Sequence, residues 1–341
     1  MACLKWRKMR ALAVLICIAS FSMILISCAL HDPSFFFRSS LPIPAGPCAC
    51  QHCIMQTEED PWFSEKLNHS VQPLLSRTNA EVTDDTYRWW QWLQVESNPS
   101  NLSVVLDKLF QVIPGEDHYQ DSSPSRCRTC SVVGNSGNLR FSGYGRLIDA
   151  GDFVIRINQA QTVGFEQDVG HKTTHHVMYP ESAIDLNNDS TSLLLVPFKT
   201  LDLEWVISAL TTGKITFTYM RVKSQIKANR SRVLVYSPAF LKYVHEAWLD
   251  GHGRYPSTGF ISLIFALHIC DQVNVFGFGA DRFGSWHHYW EENSLGGAFR
   301  QTGVHDGDYE YNVTQLLAEK NKITLYRGVQ KIPTFQWAEH L

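Results

Sequence analysis

Charge is scarce in this chain. Of its 341 residues 18% are charged, against about 25% in an ordinary soluble domain, and 30 basic side chains set against 33 acidic ones leave a formal charge of −3. Such a balance argues against a nucleic-acid partner held by a basic face, and against an acidic disordered chain. Internal repeats are absent too, and no G-x-G-x-x-G follows any candidate strand. What the chain has instead is apolar residues, 44% of the total and unevenly spread. Its length allows one large domain or two ordinary ones.

The largest share of that unevenness is amino-terminal. Residues Ala11 to Leu30 carry no charge, and at about 1.5 Å per residue such a run spans a bilayer. Lys5, Arg7, Lys8 and Arg10 precede it, so residues 1–10 read as a cytosolic tail and 11–30 as an uncleaved transmembrane signal-anchor. The competing reading is a cleaved signal peptide, for which Ser27-Cys28-Ala29 offers a cleavage site. The proline-bearing stretch 31–47 reads as a stem, residues 48–328 as one luminal domain, and 329–341 as a tail.

Beyond the anchor lie Cys48, Cys50, Cys53, Cys127, Cys130 and Cys270. An even count in an oxidising lumen suggests three disulfides, with fifteen pairings open. Two CxxC pairs make zinc the rival, although they stand farther apart than in a zinc ribbon. Asn68, Asn101, Asn188, Asn229 and Asn312 each head an N-x-S/T triplet and are candidate N-glycosylation sites in that compartment.

Residues 84–113 look helical, with Leu102, Val105, Leu106, Leu109 and Phe110 on one face. From Ser131 on, short β-branched runs alternate with helical stretches. Strands are expected at Ser131–Val133, Phe153–Ile157, Leu193–Val196, Arg232–Tyr236, Val273–Phe278 and Lys322–Tyr326. Helices are expected at Leu201–Leu210, Ala239–Leu249 and Gly259–Ile269, the last apolar all round and too short to span a membrane. The alternation predicts an α/β domain, a mostly parallel twisted sheet flanked by helices, with ligands bound beyond the carboxyl ends of the strands.

Three constellations could carry chemistry there. Gly134-Asn135-Ser136-Gly137-Asn138 follows a strand, its glycines allowing close approach and its amides suiting ribose or base edges, though a Gly/Asn run is often only a turn. Arg156-Ile157-Asn158 ends the next strand at the same edge. Ser257, Thr258 and Gly259 open the buried helix, where free N–H groups suit a phosphate, although local sequence alone favours an ordinary capped start. Last come Trp286-His287-His288-Tyr289-Trp290 and His305-Asp306-Gly307-Asp308-Tyr309-Glu310, two histidine-bearing segments apt for acid/base or phosphate-binding work. Asp306 and Asp308 form a D-x-D, a divalent-metal pattern in many sugar-nucleotide transferases and also simply a good turn. His305 and Glu310, five apart, would not share a helical face.

Taken together these segments resemble the animal sialyltransferases, in particular the beta-galactoside alpha-2,3-sialyltransferases that act on Gal-beta-1,3-GalNAc. The long motif matches Cys130 to Ser182 with GNSGNL and RIN, and the short motif matches His252 to Gly279 with GHGRYPSTG and FGFGA. The third motif is His287 to Trp290 and the very short one His305 to Glu310; DDTYRWW (84–90), PFKTLDLEW (197–205) and GAFRQTGVHD (297–306) carry the subgroup likeness. Phe141 and His171 depart from the long motif away from its polar anchors.

The resemblance implies a Rossmann-like variant of the GT-A glycosyltransferase architecture and an inverting, metal-independent transfer from CMP-sialic acid to the 3-hydroxyl of galactose. It implies Asn135, Asn138 and Asn158 at the nucleotide, Ser257, Thr258 and Gly259 at phosphate and ribose, and Gly279 near the base. His288 would bind the leaving phosphate and His305 would be the general base. Tyr219, Tyr255, Trp286 and Gln94 would line the donor and acceptor sites. Cys130 would pair with Cys270, leaving Cys48–Cys53 and Cys50–Cys127. No cofactor is implied. A protonated histidine and helix-start amides suffice for a monophosphate leaving group, so Asp306-Gly307-Asp308 becomes a turn positioning His305. The implied setting is the Golgi membrane, with a galactose-terminated O-glycan or glycolipid as acceptor; the sequence leaves room for a homodimer.

Overall fold

A computed structural model of the chain describes residues 47–55, 60–116, 118–291 and 303–328, with Ser20 alone from the stretch before Pro47. The anchor 11–30 (Ser20 apart), the stem as far as Gly46, the tail 329–341 and most of the 297–306 segment lie outside the described residues. Among the described residues no helix is long and apolar enough to cross a membrane. The compact unit begins at Pro47.

Seven strands form one sheet: β1 (Thr129–Val133), β2 (Phe153–Ile157), β3 (His175–Met178), β4 (Ser192–Leu195), β5 (Val233–Val235), β6 (Gln272–Phe276) and β7 (Thr324–Tyr326), in the spatial order β5-β4-β3-β2-β1-β6-β7. Every neighbouring pair is parallel. The helices are α1 (Pro61–Lys66), α2 (Asp84–Gln91), α3 (Leu102–Val112), α4 (Gly145–Asp149), α5 (Glu166–Val169), α6 (Thr200–Ala209), α7 (Pro238–Tyr243), α8 (Thr258–Ile269) and α9 (Gly307–Glu319).

Both faces of the sheet are dry, because alternate residues enter different cores. Cys130 and Val132 of β1, with Ile155 of β2, join the larger core that includes α8, whereas Val133, Val154 and Phe276 join a smaller one with Leu139, Ile148 and Tyr289. Helix α8 touches β1, β2, β3 and β6, which is why it is apolar on all sides. The chain walks outward from β1 to β5 and then returns to place β6 on the other side of β1. That reversal opens a crevice above the carboxyl ends of β1 and β6.

Expected and observed elements differ in several places. The stretch 84–113 is two helices, α2 and α3, because Asn98-Pro99 cannot continue one. The expected helix 239–249 ends its α-helical part at Tyr243 and continues as a π-helical turn, Val244–Trp248. Strand β3 was not expected: His175 and His176 break its apolar pattern, yet both are buried and neutral. Burial, with Arg128 nearby, holds His175 down to about 3, and burial holds His176 down to about 4. Tyr119 Oη lies 2.7 Å from His175 Nε2, and His176 Nε2 donates to the Asn158 carbonyl. Helices α1, α4, α5 and α9 were not expected either.

The six cysteines from Cys48 onward form Cys48–Cys53, Cys50–Cys127 and Cys130–Cys270, which removes the zinc alternative. At Asn68, Asn101, Asn188 and Asn229 the side-chain carbonyl accepts from both the amide and the hydroxyl of the serine two residues on. Asn312 differs: it is exposed within α9, and its Thr314 is buried, donating to the Glu310 carbonyl at 2.8 Å.

Candidate active site

Strand β1 runs straight into Gly134, and only glycine fits: a Cβ there would stand 2.3 Å from the Gly277 carbonyl oxygen just beyond β6. The two strand ends therefore meet without side chains between them, and Gly134 N donates to Phe276 O at 2.8 Å. Asn135 donates from Nδ2 to Ile157 O at 3.0 Å and Asn138 from Nδ2 to Phe278 O at 2.8 Å. In both, the buried Oδ1 has no protein partner and stays available as an acceptor. Asn158 takes φ 57°, a left-handed conformation asparagine tolerates, and its Oδ1 accepts from Ser182 Oγ at 2.9 Å.

Helix α8 opens beside this edge. Ser257 is its N-cap, with Oγ accepting from Phe260 N at 3.2 Å. Glu310, buried on α9, accepts from Ser257 N at 2.7 Å and from Ser257 Oγ. Burial pushes the Glu310 carboxyl up to about 7, against the two Ser257 donors that oppose the rise. Asp306 caps α9 by accepting from Tyr309 N at 3.0 Å, which leaves His305 immediately outside the helix. His305 Nδ1 stands 2.8 Å from the Tyr255 carbonyl oxygen. A carbonyl can only accept, so Nδ1 carries the proton and Nε2 is the basic nitrogen. Burial lowers the His305 pKa, with the Tyr255 carbonyl opposing, so the imidazole is neutral at physiological pH.

The segment around His288 is laced to the β1 turn. Gly137 N donates to His287 O at 2.7 Å, Tyr289 N donates to Asn135 O at 3.0 Å, and Ser136 bridges His288. His288 stacks on Trp290 with centroids 4.5 Å apart, and Glu291 Oε1 lies 2.6 Å from His288 Nδ1. A carboxylate oxygen accepts, so Nδ1 carries a hydrogen here and the ring is held in place on the wall of the site.

These parts enclose one cavity of about 550 Å³. Its walls include Asn135, Asn158, Tyr219, Tyr255, Ser257, Thr258, Gly259, Gly279, Trp286, His288, His305 and Gln94. Asn138 is not among the lining residues; it lies behind the wall, bonded to Phe278 O next to Gly279. Arg156 points away altogether, donating from Nη2 to Val169 O at 2.7 Å in the core. Asp306 and Asp308 do not line the cavity either: Asp306 caps α9 and meets His252, and Asp308 is exposed. Glu181, Glu291 and Glu310 line it and were not among the sequence candidates. Glu310 could not have been assigned from spacing, because its partner Ser257 is 53 residues away.

The model for glycosyltransferase family 29 (sialyltransferase) matches residues 74–322. The chain belongs to the sialyltransferase family. It is 56% identical over 283 residues to the Homo sapiens CMP-N-acetylneuraminate-beta-galactosamide-alpha-2,3-sialyltransferase 1, covering 83% of each chain. Over 292 residues it is 54% identical to the Gallus gallus sialyltransferase of the same name, covering 85% of each. A crystal structure of a mammalian sialyltransferase in complex with Gal-beta-1-3GalNAc-ortho-nitrophenol superposes with TM-score 0.78 at 54% identity, covering 83% of this chain and all of that one. The parallel sheet with flanking helices described above is thus a sialyltransferase fold.

Proposed function

We propose that this sialyltransferase moves sialic acid from CMP-sialic acid to the 3-hydroxyl of terminal galactose in Gal-beta-1,3-GalNAc, with inversion and without a metal. The carrying observation is the His305–Tyr255 bond, 2.8 Å from Nδ1 to the carbonyl, which leaves Nε2 basic on the cavity wall. Nε2 takes the proton of the galactose hydroxyl as its oxygen bonds to the anomeric carbon of sialic acid. On the opposite face the bond from that carbon to the CMP phosphate oxygen breaks, and the electron pair leaves with CMP. His288, held by Glu291, and the first amides of α8 meet the departing phosphate. Asn135 and Asn158 take the nucleotide, with Asn138 supporting the wall from behind and Gly279 beside the base; Tyr219, Tyr255, Trp286 and Gln94 hold the sugars.

No divalent cation is needed in this scheme, because one phosphate leaves rather than two. The D-x-D residues support it: instead of a separate turn they open a helix, Asp306 as the N-cap of α9 and Asp308 exposed within its first helical residues. The proposed setting is a Golgi membrane, with residues 11–30 as the anchor and the unit from Pro47 in the lumen.

The test is transfer by a soluble chain beginning at Pro47, followed by linkage analysis of the product. Product should be alpha-2,3-linked and yield should survive EDTA; a requirement for manganese would refute the metal-free scheme. His305→Ala should lower kcat by about 10²–10⁴-fold while CMP binding stays within a few fold. Wild-type turnover in that variant would remove His305 as base.

A further inference from the structure

Beneath the acceptor end of the cavity lies a buried charge cluster that the transfer scheme does not use. Lys199 immediately precedes α6, with its side chain only 4% exposed. Its ammonium lies 2.7 Å from Asp202 Oδ1 and 3.7 Å from Glu181 Oε1, both on side chains almost wholly buried. Asp202 is anchored in turn, accepting from Phe198 N at 2.8 Å through Oδ2. The same ammonium stands 5.1 Å over the Tyr219 ring and donates to Gln94 Oε1 at 2.6 Å. Four separate segments thus converge on one lysine: the α2–α3 connection, the turn after β3, the start of α6 and the loop carrying Tyr219.

The bond to Gln94 decides the orientation of that amide. An ammonium has donors only, so the atom facing Lys199 is the carbonyl oxygen, and the NH₂ group faces the other way. There Nε2 lies 3.4 Å from Tyr255 Oη, the tyrosine whose carbonyl holds His305. Were the amide to flip, two donors would face each other and the ammonium would lose an acceptor.

We propose that Lys199 is a positioning residue: it locks the Gln94 amide so that one N–H meets Tyr255 Oη and the other is offered to the acceptor sugar, making this wall a donor site for a sugar hydroxyl oxygen. Lys199 does not act on the reacting atoms. Asp202 and Glu181 hold the ammonium in place, and the neutral form that burial favours at Asp202 leaves the cluster close to electrically balanced. The proposal rests on the acceptor reading given above.

The experiment is a double-mutant cycle on the soluble enzyme with Lys199→Met, Gln94→Ala and the pair, measuring KM for Gal-beta-1,3-GalNAc, KM for CMP-sialic acid and inhibition by CMP. Lys199→Met should raise the acceptor KM about tenfold and leave both donor quantities within twofold. The double variant should be no worse than Gln94→Ala alone, since both changes remove the same interaction. Among 2-, 4- and 6-deoxygalactose acceptors, one should become insensitive to Lys199→Met, namely that lacking the hydroxyl met by Gln94. If Lys199→Met does not fold, Lys199→Met/Asp202→Asn removes the ammonium and its paired carboxylate together and is read in the same way. Multiplying effects in the cycle, or donor and acceptor KM rising together, would overturn the proposal in favour of a merely structural lysine. A wild-type chain that fails to sialylate Gal-beta-1,3-GalNAc would instead overturn the substrate reading. A wild-type chain that does so, with acceptor KM unmoved by Lys199→Met, would overturn the Lys199 proposal alone.

Discussion

Glu310 ties the start of α8 to α9, the helix that follows His305, and does so while buried. A carboxyl whose folded pKa is raised, here to about 7 from an ordinary 4.5, contributes stability that is present below about pH 4.5 and lost as pH rises through about 7. The amount at stake is roughly 3 kcal/mol. Glu310→Gln keeps an acceptor for the Ser257 amide and cannot ionise. Its melting temperature should match wild type near pH 5 and exceed it by several degrees near pH 8. Equal differences at both pH values would show that Glu310 does not titrate across this window. At this scale the sequence was readable where chemistry is local. His288, His305, Asn135, Asn158 and Ser257 were singled out from their segments and all line the cavity, whereas Asn138, singled out with them, lies behind its wall. Glu310 and Lys199 were not identifiable, because what defines them is a partner brought in by the fold: Ser257 for one, Gln94 for the other.

Between elements, the most consequential link is Cys130–Cys270. It joins the start of β1 to the end of α8, 140 residues apart, and both cysteines are buried in the main core. The parallel register of β1 with β6 follows directly behind it, Cys130 opposite Val273. Closing so long a loop restricts the unfolded chain, so Cys130→Ala/Cys270→Ala should cost about 2–5 kcal/mol, read from the midpoint of urea unfolding. A loss below about 0.5 kcal/mol would mean that the β1–β6 ladder already fixes this junction. Element boundaries were legible wherever burial wrote a continuous apolar run, as in β2, β4 and α8. They failed where polarity was satisfied internally. In β3, His175 and His176 look like loop residues until Tyr119 and the Asn158 carbonyl account for their nitrogens. A lone apolar face could not reveal the break between α2 and α3 either; the Asn98-Pro99 step marks it.

At the scale of the whole molecule, the disulfides and the cavity occupy opposite ends of the sheet. Cys50 is bonded to Cys127, two residues before β1, so the polypeptide enters the domain at the amino ends of the strands. Asn135, Ser257 and His305 stand at the carboxyl ends, a strand length of about 17 Å away. This polarity makes the entry point a natural handle. A bead, an affinity tag or a carrier protein fused ahead of Pro47 is joined at the pole remote from the chemistry. Enzyme captured on a solid support through that end should process a soluble acceptor at the rate of the free enzyme, checked by comparing kcat/KM on and off the support. Capture through the other pole, at an engineered cysteine near Trp286, should block the mouth and abolish turnover. Parallel strands give the molecule a front and a back, and with them a direction in which it can be mounted.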